Sequence, residues 1–196
     1  MSKKAVQGPR SSIRIIGGKW RSRRLDFHTA EGLRPTGDRI RETLFNWLAP
    51  HIQGATCLDL FAGSGALSFE ALSRGAASCT ALDNNPKVIA QLRANQSALG
   101  AEDLQLKQGD TRDYLAHRQP DTGFDIVFMD PPFAHNMHTE ISLLLTQNCW
   151  LANGALIYCE LPITEPDPSG QYWRSVKQKT AGAVRYCLYA QIEICD

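Results

Sequence analysis

Four short segments of this chain combine residue types that can hold and act on a small molecule. They are Phe61-Ala62-Gly63-Ser64-Gly65, Asp83-Asn84-Asn85, Gly109-Asp110-Thr111 and Asp130-Pro131-Pro132-Phe133. Each ends a short apolar run, and open α/β sheets bind ligands outside the carboxyl ends of their strands. Gly63 and Gly65 lack Cβ atoms, so a ligand can approach the backbone while N–H groups of a following helix point at it. A lone G-x-G can equally be only a tight turn. Asp59, inside the run just ahead, is an expensive place for a carboxylate without a partner. Position 68, where a dinucleotide fingerprint wants a third small residue, is Ser.

Asp83 stands 18 residues after Gly65, where an acid can accept hydrogen bonds from both hydroxyls of a ribose. It could also cap the next helix, a job open to Asn84 or Asn85. Asp110 has the same two readings: an acceptor for an adenine amino group, or a cap for the helix starting at Thr111. In Asp130-Pro131-Pro132-Phe133 the prolines fix the backbone and remove donors. The Asp side chain and the Pro131 carbonyl then form an acceptor-only cradle for an amino group, with Phe133 as a flat face for a nucleobase. The bland alternative is a rigid turn with a core Phe.

The elements that would carry these segments alternate. Cys57–Phe61, Ser78–Leu82, Leu104–Gln108, Phe124–Met129 and Ala155–Leu161 read as strands. Helices are expected between Gly65 and Arg74, from Pro86 at a first helical position, over Thr111–Ala116 and around His138–Gln147. Phe124–Met129 is almost wholly apolar, as a central parallel strand covered on both faces should be. Tyr172–Lys179, a turn at Ala181-Gly182 and Val184–Ile194 read as an antiparallel hairpin. The fold class is α/β, Rossmann-like, with a doubly wound, mostly parallel sheet closed by that hairpin. Ahead of it, residues 1–12 are expected to be disordered. Ile13–Ile16 and Lys19–Arg21 should form a hairpin turning at Gly17-Gly18. A helix over Thr36–Pro50, capped by Thr36, should bury Ile40, Leu44, Trp47 and Leu48, with Arg41 near the boundary. The division is 1–50 as a basic extension and 51–196 as the main domain.

Charge follows the same division. Residues 1–50 hold 11 Lys+Arg against 4 Asp+Glu, a net of +7, and residues 51–196 hold 10 against 16, a net of −6. A basic arm on an acidic body is the footprint of a polyanion partner, or a solubilising tail. Phosphate contacts are expected from Arg14, Lys19, Arg21, Arg23 and Arg24, with Arg34, Arg39 and Arg41 as a second group. The six Cys show no C-x-x-C and no His at zinc spacing, so reduced thiols, no metal and a cytoplasmic protein are expected. No apolar run approaches the roughly 20 residues that cross a bilayer, and no membrane partner is expected.

Leu58–Gly65, Asp83 and Asp130–Phe133 resemble the class I S-adenosylmethionine-dependent methyltransferases. With Ile13–Gly18 and the signature spanning Leu33–Asn46, the chain from about 12 to 195 resembles the bacterial ribosomal RNA small subunit methyltransferase D family. The resemblance implies a seven-stranded sheet and S-adenosylmethionine as cofactor, held by Asp59, Phe61, Ala62, Gly63, Ser64, Gly65, Asp83, Asn84, Asp110 and Thr111. Catalysis falls to Asp130, Pro131, Pro132 and Phe133. The implied reaction is N2-methylation of guanine 966 of 16S rRNA, within an assembled or nearly assembled 30S subunit, by a monomer. Its rivals are adenine-N6 methylation of DNA or RNA, methylation of a protein glutamine, an NAD(P) enzyme and a non-catalytic RNA-binding module. The chain leaves little room for a DNA-recognition domain, and a glutamine enzyme would not need the basic arm. The missing third glycine speaks against NAD(P), and the intact Asp-Pro-Pro-Phe against a module without catalysis.

Overall fold

A computed structural model describes residues 10–28, 37–117, 122–131, 137–170 and 172–192. Strand β1 (Arg10–Arg14) pairs antiparallel with β2 (Arg24–His28), and α1 (Asp38–Leu48) follows. The alternating body is β3 (Thr56–Asp59), α2 (Ala66–Ser73), β4 (Ser78–Asp83), α3 (Pro86–Leu99), β5 (Leu104–Gln108), α4 (Thr111–Leu115), β6 (Phe124–Met129) and α5 (Met137–Gln147). It closes with β7 (Leu151–Pro162), β8 (Trp173–Ala181) and β9 (Val184–Gln191). The seven-stranded sheet has the order β5-β4-β3-β6-β7-β9-β8. The first five run parallel, and β9 lies antiparallel to both β7 and β8. The final hairpin therefore contributes two strands, and the later edge of the sheet is β8.

Two cores sandwich the sheet. On one face Phe45, Phe69, Leu92, Phe128 and Tyr158 join residues of α1, α2, α3 and the β1–β2 hairpin. On the other, Leu115, Ile141, Leu145 and Trp150 cover Leu58, Val127 and Ile157. Ile15, Leu25 and Phe27 share the first core with Leu44, Phe45 and Leu48, so residues 10–28 and α1 pack onto the body. Among the described residues no helix is long and apolar enough to cross a membrane, and no cluster of His, Cys, Asp and Glu could hold a metal ion.

Several expected boundaries move. The first strand begins at Arg10, inside the stretch expected to be disordered, and its turn is not at Gly17-Gly18. Arg14 pairs with Arg24, leaving 15–23 as a long loop, with Lys19–Arg21 outside any strand. The loop departs from a tight hairpin because its backbone bonds elsewhere: Lys19 N–H donates to the Ser73 carbonyl (2.7 Å) and Trp20 N–H to Ser73 Oγ (2.9 Å). The N-cap of α1 is Gly37, while Thr36 lies outside the described residues. In α1 the fully buried side chains are Arg41, Leu44, Phe45 and Leu48, with Ile40 and Trp47 only partly covered. Strand β3 stops at Asp59 rather than Phe61, and β7 starts at Leu151 rather than Ala155.

Candidate active site

The sheet order places β4 and β6 on either side of β3. All three run parallel, so the segments after Asp59, at Asp83 and after Met129 come to one rim. Connections depart in opposite directions between β3 and β6, the switch point where such sheets form their ligand crevice.

The loop after β3 is held on both sides. Leu60 N–H donates to the Phe128 carbonyl (3.1 Å) and Ala62 N–H to the Leu82 carbonyl (2.7 Å). Gly63 and Gly65 have φ of 50° and 79°, left-handed values that favour glycine. A Cβ on Gly65 would lie 2.6 Å from Leu92 and 2.8 Å from Phe69, so that glycine also lets α2 and α3 close on the loop. The Gly63 N–H donates to Asp83 Oδ2 at 3.0 Å, and the Asn85 N–H to Asp83 Oδ1 at 2.9 Å. Asp83 thereby joins the glycine loop to the end of β4. Asn85, not Asp83, caps α3, accepting from Lys87 N–H, with Pro86 at the first helical position. Asn84 is exposed beside it.

Asp59 is 3% exposed and its Oδ2 accepts from Ser68 Oγ at 2.5 Å. Burial pushes its carboxyl up to about 6, opposed by the Ser68 hydroxyl and the Phe61 N–H and assisted by the charge of Asp83. A group so enclosed shapes the glycine loop from beneath. The signal for its partner was already present in the serine standing where a third glycine was sought. Asp110 is the N-cap of α4, accepting from Arg112 N–H at 2.8 Å. The Arg112 side chain beside it holds the Asp110 carboxyl below its usual range. Thr111 is buried and donates to the Leu60 carbonyl at 2.8 Å, so it braces the loop rather than facing outward.

Asp130 follows the last residue of β6, half-buried, with Pro131 buried behind it. Pro132, Phe133 and Arg34 lie outside the described residues. Next to this rim, Tyr158 donates to Glu160 Oε1 at 2.8 Å. His138, at the start of α5, meets the Glu160 carbonyl at 2.8 Å and Glu165 Oε1 at 2.7 Å. This buried network ties the helix after the Asp-Pro segment to the end of β7, and sequence reading had marked none of it.

The basic residues divide. Arg21 and Arg39 are exposed, Lys19 lies 4.4 Å over the Trp20 ring, and Arg14 is largely exposed, 3.9 Å from Asp38. Arg23 donates to the Ala98 carbonyl and Arg24 to Ser12 Oγ, both from exposed positions. Arg41 is a correction. Its side chain is 0% exposed, bonded to Asp38 Oδ1 (2.6 Å) and the Arg14 carbonyl (3.0 Å), and 3.8 Å from buried Glu70. It cannot reach a phosphate.

That sheet order, with an acid tied to a glycine loop and an Asp-Pro segment two strands away, defines the class I, Rossmann-like methyltransferases, which draw their methyl group from S-adenosylmethionine. Comparison with known proteins narrows the class. Residues 13–190 match the family model described as Conserved hypothetical protein 95. Ribosomal RNA small subunit methyltransferase D of Haemophilus influenzae is 45% identical over 190 residues, covering 95% of this chain and 98% of that one. Its Escherichia coli K12 namesake is 46% identical over 188 residues, covering 95% and 94%. The solved structure of the Escherichia coli protein described as "Putative methyltransferase yhhF" superposes with a TM-score of 0.83 at 46% identity, over 92% of this chain and 98% of that one. The chain belongs to the ribosomal RNA small subunit methyltransferase D family.

Proposed function

We propose that the protein methylates the exocyclic N2 of a guanine in 16S rRNA, guanine 966 by family, acting in the cytoplasm on an assembled or nearly assembled 30S subunit. The observation that carries the reading is the placement of Asp83 and Asp130 at the ends of the two strands flanking β3. One carboxylate faces the glycine loop and the other ends the neighbouring strand, so a cofactor site and an amino-group site share one rim.

The residues present fit S-adenosylmethionine. Asp83 already accepts from the Gly63 and Asn85 N–H groups, and each carboxylate oxygen keeps a lone pair for a ribose hydroxyl. Gly63 presents a backbone without a side chain at the loop crest. When bound, the cofactor supplies an electrophilic sulfonium methyl. The chain's own part is positioning. Asp130 and the Pro131 carbonyl accept from the two N–H bonds of the guanine amino group, drawing it out of conjugation and aiming its lone pair. Phe133 stacks on the flipped base. Asp130, which accepts one of those N–H bonds, guides the departing proton. Exposed Arg21 and Arg39, with Arg14, Lys19, Arg23 and Arg24, supply phosphate contacts.

The test is nucleoside mass spectrometry of 16S rRNA from a strain lacking the protein. One N2-methylguanosine should disappear and return when the wild-type chain is restored. An unchanged nucleoside profile would overturn the assignment.

A further inference from the structure

Among the described residues, strand β8 is one of the two outer strands of the sheet and pairs only with β9. Eight consecutive residues, Arg174 to Ala181, are exposed. The strand carries Arg174, Lys177 and Lys179 and no acid, although residues 51–196 as a whole have a net charge of −6. By simple alternation Arg174 would point to the opposite face from Lys177 and Lys179. The pairing says otherwise. Arg174 stands opposite Ala190, Lys177 opposite Leu188 and Lys179 opposite Tyr186, because the register shifts between Ser175 and Lys177. Directly paired residues share a face, and Ala190, Leu188 and Tyr186 all belong to the core on the α1 side. The bulge at Val176, itself 40% exposed, thus brings all three cations into one row.

The row stands on the sheet face that also carries α1, α2 and the basic N-terminal loop. Strand β8 runs in the same sense as β6 and β7, since both β7 and β8 are antiparallel to β9. Its Lys179 end therefore lies toward the rim that holds Asp83 and Asp130. Successive cations are about 7 Å apart along the strand, a regular positive edge beside the substrate rim.

We propose that Arg174, Lys177 and Lys179 form a second phosphate-contact track for the RNA. This rests on the RNA reading above. Lysines on an edge strand also deter strand-to-strand association. That role would need no common face, whereas a bulge that brings three cations into phase suits an extended polyanion.

The experiment measures binding of full-length protein to 30S subunits and to the isolated rRNA fragment across a salt series. Replacing the row (Arg174→Gln, Lys177→Gln, Lys179→Gln) should lower the magnitude of the slope of log K against log salt by about 2–3, at 0.7–0.9 per lost contact. Melting temperature and S-adenosylmethionine affinity should stay at wild-type values and report folding. A charge-neutral pair, Arg174→Ser with Ser175→Arg, moves one cation to the other face and should lower the slope by about 0.7–0.9. Should the triple variant fail to fold, Lys179→Gln alone should produce the same single-contact change. A steep wild-type slope that both multiple variants retain would overturn the track while leaving the RNA reading intact. A triple variant that self-associates with an unaltered slope would do the same and assign the row to edge protection. A wild type with no salt-dependent RNA binding would overturn both.

Discussion

Ser68 Oγ lies 2.5 Å from Asp59 Oδ2, a bond between two buried side chains that fastens α2 to β3 directly under the glycine loop. Removing the hydroxyl leaves a buried carboxylate short of a partner, a loss of about 1–3 kcal/mol. Ser68→Ala should unfold at correspondingly lower urea with an unchanged slope. An unaltered midpoint would show that the bond adds nothing.

The same pair gives the folded state a pH dependence. Asp59 is raised to about 6 in the fold from an ordinary 3.8, so between those values the folded chain binds more protons than the unfolded one. Stability from this group is complete below about pH 4 and is lost as pH rises through about 6. Asp59→Asn keeps an acceptor for Ser68 and cannot ionise. Its stability relative to wild type should improve from pH 4 to pH 7 by up to about 3 kcal/mol, read by urea unfolding at both pH values. A difference that does not change with pH would show that Asp59 does not titrate in this range.

Glu70 is fully buried and accepts from Ile16 N–H (2.7 Å), Gly17 N–H (2.8 Å) and Arg74 Nε (2.7 Å), with Arg41 3.8 Å away. Glu70→Ala should cost about 3 kcal/mol or more, the scale for breaking a buried charged network. It should also free the 15–23 loop, so limited trypsin digestion should cut faster at Arg21 and Arg23 than in wild type. Wild-type cleavage kinetics in the variant would mean the loop is held by its apolar contacts alone.

Asp83→Ala removes the acceptor of the Gly63 N–H and the proposed ribose contact together. S-adenosylmethionine affinity should fall by about 1.5–3 kcal/mol in calorimetry, with the fold kept because Asp83 lies at a strand end. Undiminished affinity in the folded variant would take Asp83 out of the site.

Asp130→Ala should lower turnover at saturating cofactor by at least about 100-fold while cofactor affinity barely changes. Turnover near wild type would contradict the amino-group cradle.

Local rules carried much of this protein. The Asn85 cap, Pro86 at a first helical position and the left-handed glycines of the loop are choices made within a few residues. The buried run Phe124–Met129 likewise declares its place between strands covered on both faces. The alternation of strands and helices then leaves few topologies, and strand-end acids fall at the rim by construction. The decisions that only the tertiary structure made concern partners brought from far along the chain. Arg41 looked like a boundary cation until Glu70, on another helix, and the Arg14 carbonyl enclosed it. Gly17-Gly18 reads as a tight turn, but the loop closes farther out, Ile15 N–H donating to the Arg23 carbonyl, while the Gly17 and Lys19 N–H groups bond to α2. Arg174 changed face because one residue bulged from β8. A carboxylate's burial, a loop's anchoring and a strand's register depend on which surface arrives opposite, and helix propensity or alternation within one segment cannot specify that.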